Sequence, residues 1–176
     1  APNLWKKISK TDGAQQKIER AHSDGLMVNA NSPEAFEEVF WATHTRQDGI
    51  AQFKNYIKLI LYNYQKFRYL SKNNQNVNRI DTLQKILPSA KILIVFKGPI
   101  NHASSLLKQH IKFSKVQQED SFIKDYMDLI KHTEFGLSYC PIISKNLRYP
   151  NSNHINHWLE QWHLLYGKLM EFYVGN

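Results

Sequence analysis

The chain has 176 residues, with 23 Lys and Arg against 15 Asp and Glu, which gives a formal net charge of +8 at pH 7. A hydrophobic fraction of 42%, with 12% aromatic residues, excludes a mainly disordered chain and is enough for a sizeable core. No run reaches the ~18 apolar residues of a membrane-spanning helix. The positive charge favours anionic partners, such as a nucleotide, an acidic glycan, nucleic acid or a membrane surface, without choosing among them.

Cysteine content bears on the compartment. The single cysteine, Cys140, rules out an intrachain disulfide and fits a reducing compartment, which predicts a cytoplasmic protein. The first residues of the chain also lack the pattern of a secretory signal peptide.

The first part of the chain predicts two helices and then a strand. One helix is predicted from residue 33 to about 43, because Ser32 is a suitable N-cap and Pro33 a suitable first helical residue. Apolar residues recur at helical spacing over residues 49–64. Residues 67–71 then predict a short strand.

The middle of the chain predicts a strand–helix–strand unit. The helix covers residues 77–87 and is stopped by Pro88. Residues 92–96 read Ile-Leu-Ile-Val-Phe, a short β-branched run typical of a strand buried on both faces in a parallel sheet. Two strands joined by one helix predict a right-handed βαβ unit.

The rest of the chain predicts three helices and one long loop. The helices cover residues 99–112, about 120–131 and about 154–173, and the loop covers residues 136–153 with its two prolines. Because we find no internal repeat and no linker, residues 1–176 are predicted to form a single domain.

A phosphate-binding site is predicted where the second strand meets the following helix. Lys97 stands at the strand's carboxyl end, Gly98 allows a sharp turn, and Pro99 suits the first helical position. A cation beside a helix N-terminus is a good place to bind phosphate. Alternatively, Lys97 is a solvated lysine and Ser105 a small residue that packs the helix against the sheet.

These residues carry a family resemblance. The pattern strand-Lys97-Gly98-Pro99-x5-Ser105 resembles the 3′-phosphate-binding segment of sulfotransferases, the enzymes that use 3′-phosphoadenosine 5′-phosphosulfate. In that family the strand normally ends in Arg, a position that Lys97 occupies here. The similarity extends over roughly residues 19–170 and includes two further motifs, Leu70-Ser71-Lys72-Asn73-Asn74 and His132-x-Glu134-Phe135-Gly136.

The resemblance implies both a fold and an activity. The implied fold is a three-layer α/β domain with a parallel sheet, of the P-loop nucleotide-kinase-like type. The implied activity is transfer of a sulfuryl group from 3′-phosphoadenosine 5′-phosphosulfate to a hydroxyl or amine acceptor, without a metal. Lys97 and Ser105 would hold the 3′-phosphate, and Lys72 would face the same crevice and contact the donor or the transferred group.

One part of the family pattern is missing. The 7 glycines are scattered, and no Gly/Ser/Thr-rich phosphosulfate loop or G-x-x-x-x-G-K-[ST] pattern occurs. We therefore interpret the domain as incomplete at both ends and expect residues 1–176 alone not to transfer sulfate at an enzymatic rate. The alternative is a non-catalytic nucleotide- or anion-binding module on a degenerate sulfotransferase fold. Nucleic-acid binding rests on charge alone and is not predicted.

The general base is the least defined part of the predicted site. His22, beside a predicted turn, is the first candidate and Glu37 the second, although a capping or surface role is possible for each. The chain has 8 histidines, including His154 and His157 at helical spacing. No carboxylate or cysteine cluster with ligand spacing accompanies them, so no metal site is predicted.

Overall fold

The computed structural model describes residues 18–19, 25–28, 32 and 36–175, and this part of the chain is mostly helical. None of its helices is long and apolar enough to cross a membrane. In chain order the elements are β1 (Ile18–Glu19), β2 (Met27–Val28), α1 (Glu37–Thr43), α2 (Arg46–Asn63), a 3₁₀ helix (Asn74–Arg79), α3 (Ile80–Ile86), α4 (Pro99–Glu119), α5 (Ser121–Leu129) and α6 (Ile155–Val174).

The predicted three-layer α/β fold with a parallel, P-loop-like sheet is wrong. The only ladder among the described residues is antiparallel and joins β1 to β2, with Ile18 opposite Val28. Residues 92–96 run without helix, turn or bend, yet Leu93 is 87% and Val95 74% exposed. An apolar run forms a buried strand only where neighbouring strands cover it, and no described strand pairs with this one.

The helices before this segment build an aromatic core. α2 begins at Arg46, slightly earlier than predicted, because the Thr45 side chain caps it by accepting a hydrogen bond from the Asp48 N–H at 3.1 Å. Phe40 on α1 packs on Phe53 of α2, with ring centroids 5.7 Å apart. Phe53 is 1% exposed, so its burial stabilises the fold by about 1.5–3 kcal/mol.

The helix predicted over residues 77–87 is present in two pieces. Its first turns form the 3₁₀ helix, whose N-cap Asn73 accepts a hydrogen bond from the Gln75 N–H at 2.9 Å. Three asparagines in this segment are poor formers of an α-helix interior, which favours the tighter, short geometry. α3 follows directly and ends before Pro88.

α4 and α6 pack against each other and form the second half of the core. Ala103 is 0%, Phe113 2% and Trp158 3% exposed, so these three residues belong to the core. α4 continues to Glu119, beyond its predicted end, and Asp120 then caps α5 by accepting a hydrogen bond from the Phe122 N–H at 2.9 Å.

The predicted loop of residues 136–153 is confirmed, and α6 side chains hold it. Gln161 donates to the Ile143 carbonyl at 2.7 Å and accepts from the Ile143 N–H at 3.2 Å. Glu160 accepts hydrogen bonds from the N–H groups of Arg148 and Tyr149 at 2.7 and 2.8 Å. These bonds satisfy loop backbone groups that a helix or sheet would otherwise pair.

The beginning of this loop requires a glycine. Gly136 has a φ of +87°, and a Cβ atom there would overlap the carboxamide of Gln117. Its N–H donates to Nδ1 of His110 at 3.2 Å, and the next N–H, that of Leu137, donates to Gln117 at 2.6 Å. The glycine thus allows α4 side chains to reach the loop backbone.

Candidate functional site

A cavity of about 660 Å³ lies beside α1, the two segments without regular structure at residues 69–73 and 89–95, and α6. This volume is within the range of small-molecule sites. Most of its lining is apolar, and its ionisable and polar side chains include Glu37, Tyr69, Ser71, Lys72, Asn73, Asn74, Lys91, His102 and Glu134.

Glu37 is a buried carboxylate at the cavity wall. It stands in the first turn of α1 with 6% exposure, and its Oε2 accepts a hydrogen bond from the Tyr69 hydroxyl at 2.7 Å. Its Oε1 is also buried and has no hydrogen-bond partner among the described residues. A buried carboxylate oxygen without a donor is costly, so Oε1 is suited to accept a hydrogen bond or a proton from a bound molecule.

Two tyrosines surround this carboxylate and keep their protons. Burial, and then the hydrogen bond to Glu37, raises the pKa of Tyr69. Burial and the charge of Glu37 also raise the pKa of Tyr56. Neither phenol ionises near neutral pH, so Tyr69 acts as a hydrogen-bond donor that orients Glu37.

The adjacent carboxylate, Glu38, has a structural role instead. It forms an ion pair with Arg79 and accepts a hydrogen bond from the Asn73 side chain at 2.7 Å. The Arg79 guanidinium lies 5.0 Å from the centre of the Trp41 ring. Glu38 thus links α1 to the 3₁₀ helix and is the ion-pair partner of Arg79.

Lys72 supplies a cation at the same cavity. Its ammonium donates to Oδ1 of Asn74 at 3.0 Å, and its side chain is exposed to solvent as well as lining the cavity. An exposed lysine with one neutral partner can exchange that hydrogen bond for an anionic ligand at little cost. The predicted contact of Lys72 with the sulfate donor or the transferred group is compatible with this position.

His102 adds a neutral imidazole. It lies in the first turn of α4, and its Nδ1 is buried without a hydrogen-bond partner in the part of the chain that is described. Burial and the charge of Lys97 lower the pKa of His102, so the ring is uncharged at neutral pH. In a neutral imidazole one nitrogen donates a hydrogen bond and the other accepts one. A molecule in the cavity can therefore bond to His102 as acceptor or as donor.

Lys97 and Ser105 lie outside the cavity lining. The Lys97 carbonyl accepts a hydrogen bond from Nε1 of Trp162 at 2.9 Å, while its side chain is exposed. Ser105 is exposed on α4. Pro99 begins α4 as predicted, but Gly98 has φ −52° and ψ 141°, which any residue adopts, so no sharp turn requires glycine there.

The structure therefore brings Lys72 and Glu37 to one cavity and places Lys97 beside His102 at the start of α4. His22 lies outside the described residues. Tyr69 and His102 were not predicted as site residues. The hydrogen bond from Tyr69 to Glu37 joins positions far apart in the chain, which a local pattern does not reveal. The predicted helix start at Pro99 already puts His102 in the first turn of that helix, but it does not indicate that Nδ1 of His102 is buried at a cavity.

The histidines form no metal centre in the described ranges, where no group of three or more His, Cys, Asp or Glu side chains could hold an ion. His157 instead donates from Nδ1 to the Tyr149 carbonyl at 2.7 Å and accepts at Nε2 from the Tyr139 hydroxyl, also at 2.7 Å. Both of its ring nitrogens are thereby used to hold the loop.

Comparison with known proteins provides no relative. No family model, no curated protein and no solved structure matches the chain.

Proposed function

We propose that the protein transfers a sulfuryl group from 3′-phosphoadenosine 5′-phosphosulfate to a hydroxyl or amine acceptor, with the reaction at the 660 Å³ cavity. The proposal rests on the resemblance of the Lys97-Gly98-Pro99-x5-Ser105 segment to the 3′-phosphate-binding segment of sulfotransferases. The observation that carries it is that one cavity is lined both by a buried carboxylate whose Oε1 has no donor among the described residues, Glu37, and by a cation, Lys72.

Each of these residues has a role in the proposed step. Glu37 Oε1 takes the proton of the acceptor, whose oxygen or nitrogen then bonds to sulfur while the bond from sulfur to the 5′-phosphate oxygen breaks. Tyr69 holds Glu37 through its hydrogen bond to Oε2. Lys72 faces the negative charge that develops on the leaving phosphate, which is the main electrostatic demand of such a transfer.

Lys97 and Ser105 are proposed to hold the 3′-phosphate at the start of α4. Lys97 is exposed, and no described side chain caps the first turn of that helix. A phosphate there would interact with the ammonium and with the free N–H groups of the turn. We also propose a cytoplasmic location, which the single exposed thiol of Cys140 favours.

A second candidate is a non-catalytic module that binds the nucleotide or another anion. It is favoured by the position of Lys97 and Ser105 outside the cavity lining and by the lack of a glycine-rich phosphosulfate loop in the sequence. Under this alternative Lys97 and Lys72 still bind anions, and Glu37 has no chemical role.

Isothermal titration with adenosine 3′,5′-bisphosphate tests the binding shared by both candidates. We expect Lys97→Ala and Lys72→Ala each to weaken binding at least tenfold, which is about 1.4 kcal/mol for a charge-assisted contact. The matched control is Lys58→Ala, an exposed lysine on α2 outside the cavity lining. Absence of saturable binding, or equal affinity in all variants, would exclude the transferase and any module that binds this nucleotide through these lysines.

A radiolabelled-sulfate transfer assay on the protein as it occurs in the cell then separates the two, since residues 1–176 alone are not expected to transfer sulfate at an enzymatic rate. Transferase activity predicts turnover that falls at least a hundredfold in Glu37→Gln, while affinity for the bisphosphate is kept, because the amide accepts the Tyr69 hydrogen bond but takes no proton. Saturable binding without turnover in any acceptor mixture identifies the module.

A further inference from the structure

Residues 91–97 expose backbone groups as a sheet edge does. The segment runs without helix, turn or bend, and no backbone–backbone hydrogen bond joins it to any described residue. Two of its carbonyls accept hydrogen bonds from α6 side chains: that of Val95 from the Tyr166 hydroxyl at 2.7 Å and that of Lys97 from Trp162 at 2.9 Å.

The direction of these two bonds indicates which edge is free. In a straight extended chain, backbone groups of alternate residues point to opposite edges. Because the Val95 and Lys97 carbonyls point to α6, those of Ile94 and Phe96 point away from it. No hydrogen bond to the backbone of Ile94 or Phe96 is found within the described residues, so this edge can pair with another strand.

The side chains around this edge are apolar and exposed. Leu93 is 87%, Val95 74% and Phe96 68% exposed, and Leu70, which lines the same cavity, is 90% exposed. Exposed apolar side chains beside an unpaired edge indicate a binding surface rather than an ordinary solvated loop. An extended apolar segment is the occupant that satisfies the backbone and covers the side chains together.

The charges at the two ends of the segment indicate which kind of extended chain would bind there. Lys91 and Lys97 flank the apolar run at its two ends. If a second copy of the chain paired antiparallel about Ile94, Lys91 of each copy would face Lys97 of the other, and like charges directly opposite destabilise a strand pair. An apolar strand with an acidic residue at each end has the complementary pattern.

We propose that residues 91–97 bind an extended apolar peptide segment with acidic flanks, from a partner protein, by strand addition. Main-chain hydrogen bonds along Ile94 and Phe96 provide affinity, and the exposed apolar side chains and the two lysines provide selectivity. The inference goes beyond the proposed sulfuryl transfer and does not rest on it, since it uses neither Glu37 nor a nucleotide.

Fluorescence anisotropy of a labelled peptide, Glu-Val-Ile-Thr-Val-Ile-Asp, with the full chain tests this inference. We expect saturable binding that is lost when alternate peptide N–H groups are methylated, because the main-chain donors are removed. Binding should weaken at least tenfold when both acidic residues of the peptide are replaced by lysine, and in the protein variant Leu93→Gln. Leu59→Gln is the matched control, since Leu59 is exposed on α2 outside the cavity lining.

Three outcomes would overturn the inference. They are no saturable binding up to about 1 mM peptide, equal binding of the methylated peptide, and a dimer of the free chain in sedimentation that Leu93→Gln dissociates. The last outcome would assign the edge to a second copy. Circular dichroism of Leu93→Gln should match the unaltered chain, because an 87% exposed side chain contributes little to folding.

Discussion

The loop of residues 136–153 and the segment of residues 91–97 both lack regular secondary structure. They differ in the number of hydrogen bonds that α6 side chains make to their backbones. In the loop, side chains of α6 bond to several backbone groups, with Gln161 making two bonds to Ile143 and Glu160 reaching two successive N–H groups. To residues 91–97, α6 provides two donors, Trp162 and Tyr166.

The same contrast holds for buried polar groups. On the loop side, His157 uses both ring nitrogens and His110 accepts from Gly136. On the cavity side, Glu37 Oε1 and His102 Nδ1 have no partner among the described residues. Native proteins satisfy nearly all buried polar groups. Of the three buried side-chain atoms without a partner in the described residues, two line this cavity, which favours binding there, and the third is Nε1 of Trp41. The loop side completes the fold, and the cavity side is available for ligands.

The loop side should fail when Gly136 is replaced. In Gly136→Ala, a positive φ of +87° and overlap with the Gln117 carboxamide should lower the free energy of unfolding by about 2–4 kcal/mol. Urea unfolding followed by circular dichroism measures this change.

The control for this change is Gly167→Ala. A Cβ at Gly167, in the interior of α6, meets nothing within 4 Å. This variant should be more stable by about 0.5–1 kcal/mol, because alanine favours the helix. A Gly136→Ala variant as stable as the unaltered chain would show that Gln117 does not fix the start of the loop.

A smaller effect is expected from pH. Burial, together with the charge of His157, lowers the pKa of His110, and burial with the charge of Lys97 lowers that of His102. As pH falls below the ordinary histidine value of about 6.5, the unfolded chain binds protons before the folded chain does. The free energy of unfolding should therefore decrease from pH 7 to pH 5.

Urea unfolding at both pH values tests the two histidines separately. His110→Gln and His102→Gln should each reduce the loss of stability between pH 7 and pH 5, whatever they do to stability at pH 7. A pH dependence unchanged by both substitutions would assign the acid sensitivity to other groups.

Part of this architecture could be predicted from the sequence. Helical periodicity placed α2, α4, α5 and α6, and Pro99 marked the start of α4, because these signals are local. The prediction of a sheet was wrong because the burial of a strand is not a local property. The run at residues 92–96 has the composition of a buried strand, but burial depends on neighbours that a local pattern does not contain.

The site was predicted only in part for a similar reason. Lys72 was a candidate through the family resemblance and Glu37 as a carboxylate that could act as general base. Tyr69 was missed because its bond to Glu37 joins residues 32 positions apart. The difference between Glu37 and Glu38 was equally hidden. The two residues are adjacent and chemically alike. They differ because Arg79 pairs with Glu38, whereas no cation pairs with Glu37 in the part of the chain that is described.

Hydrogen–deuterium exchange of the free chain tests most directly whether the cavity side has an unsatisfied edge and the loop side does not. The N–H groups of Ile94 and Phe96 should exchange at nearly the rate of an unfolded chain, while those of Gly136, Leu137 and Ile143, each bonded to a side chain, should be protected. Protection of Ile94 and Phe96 equal to that of Gly136 in the monomer would contradict the account.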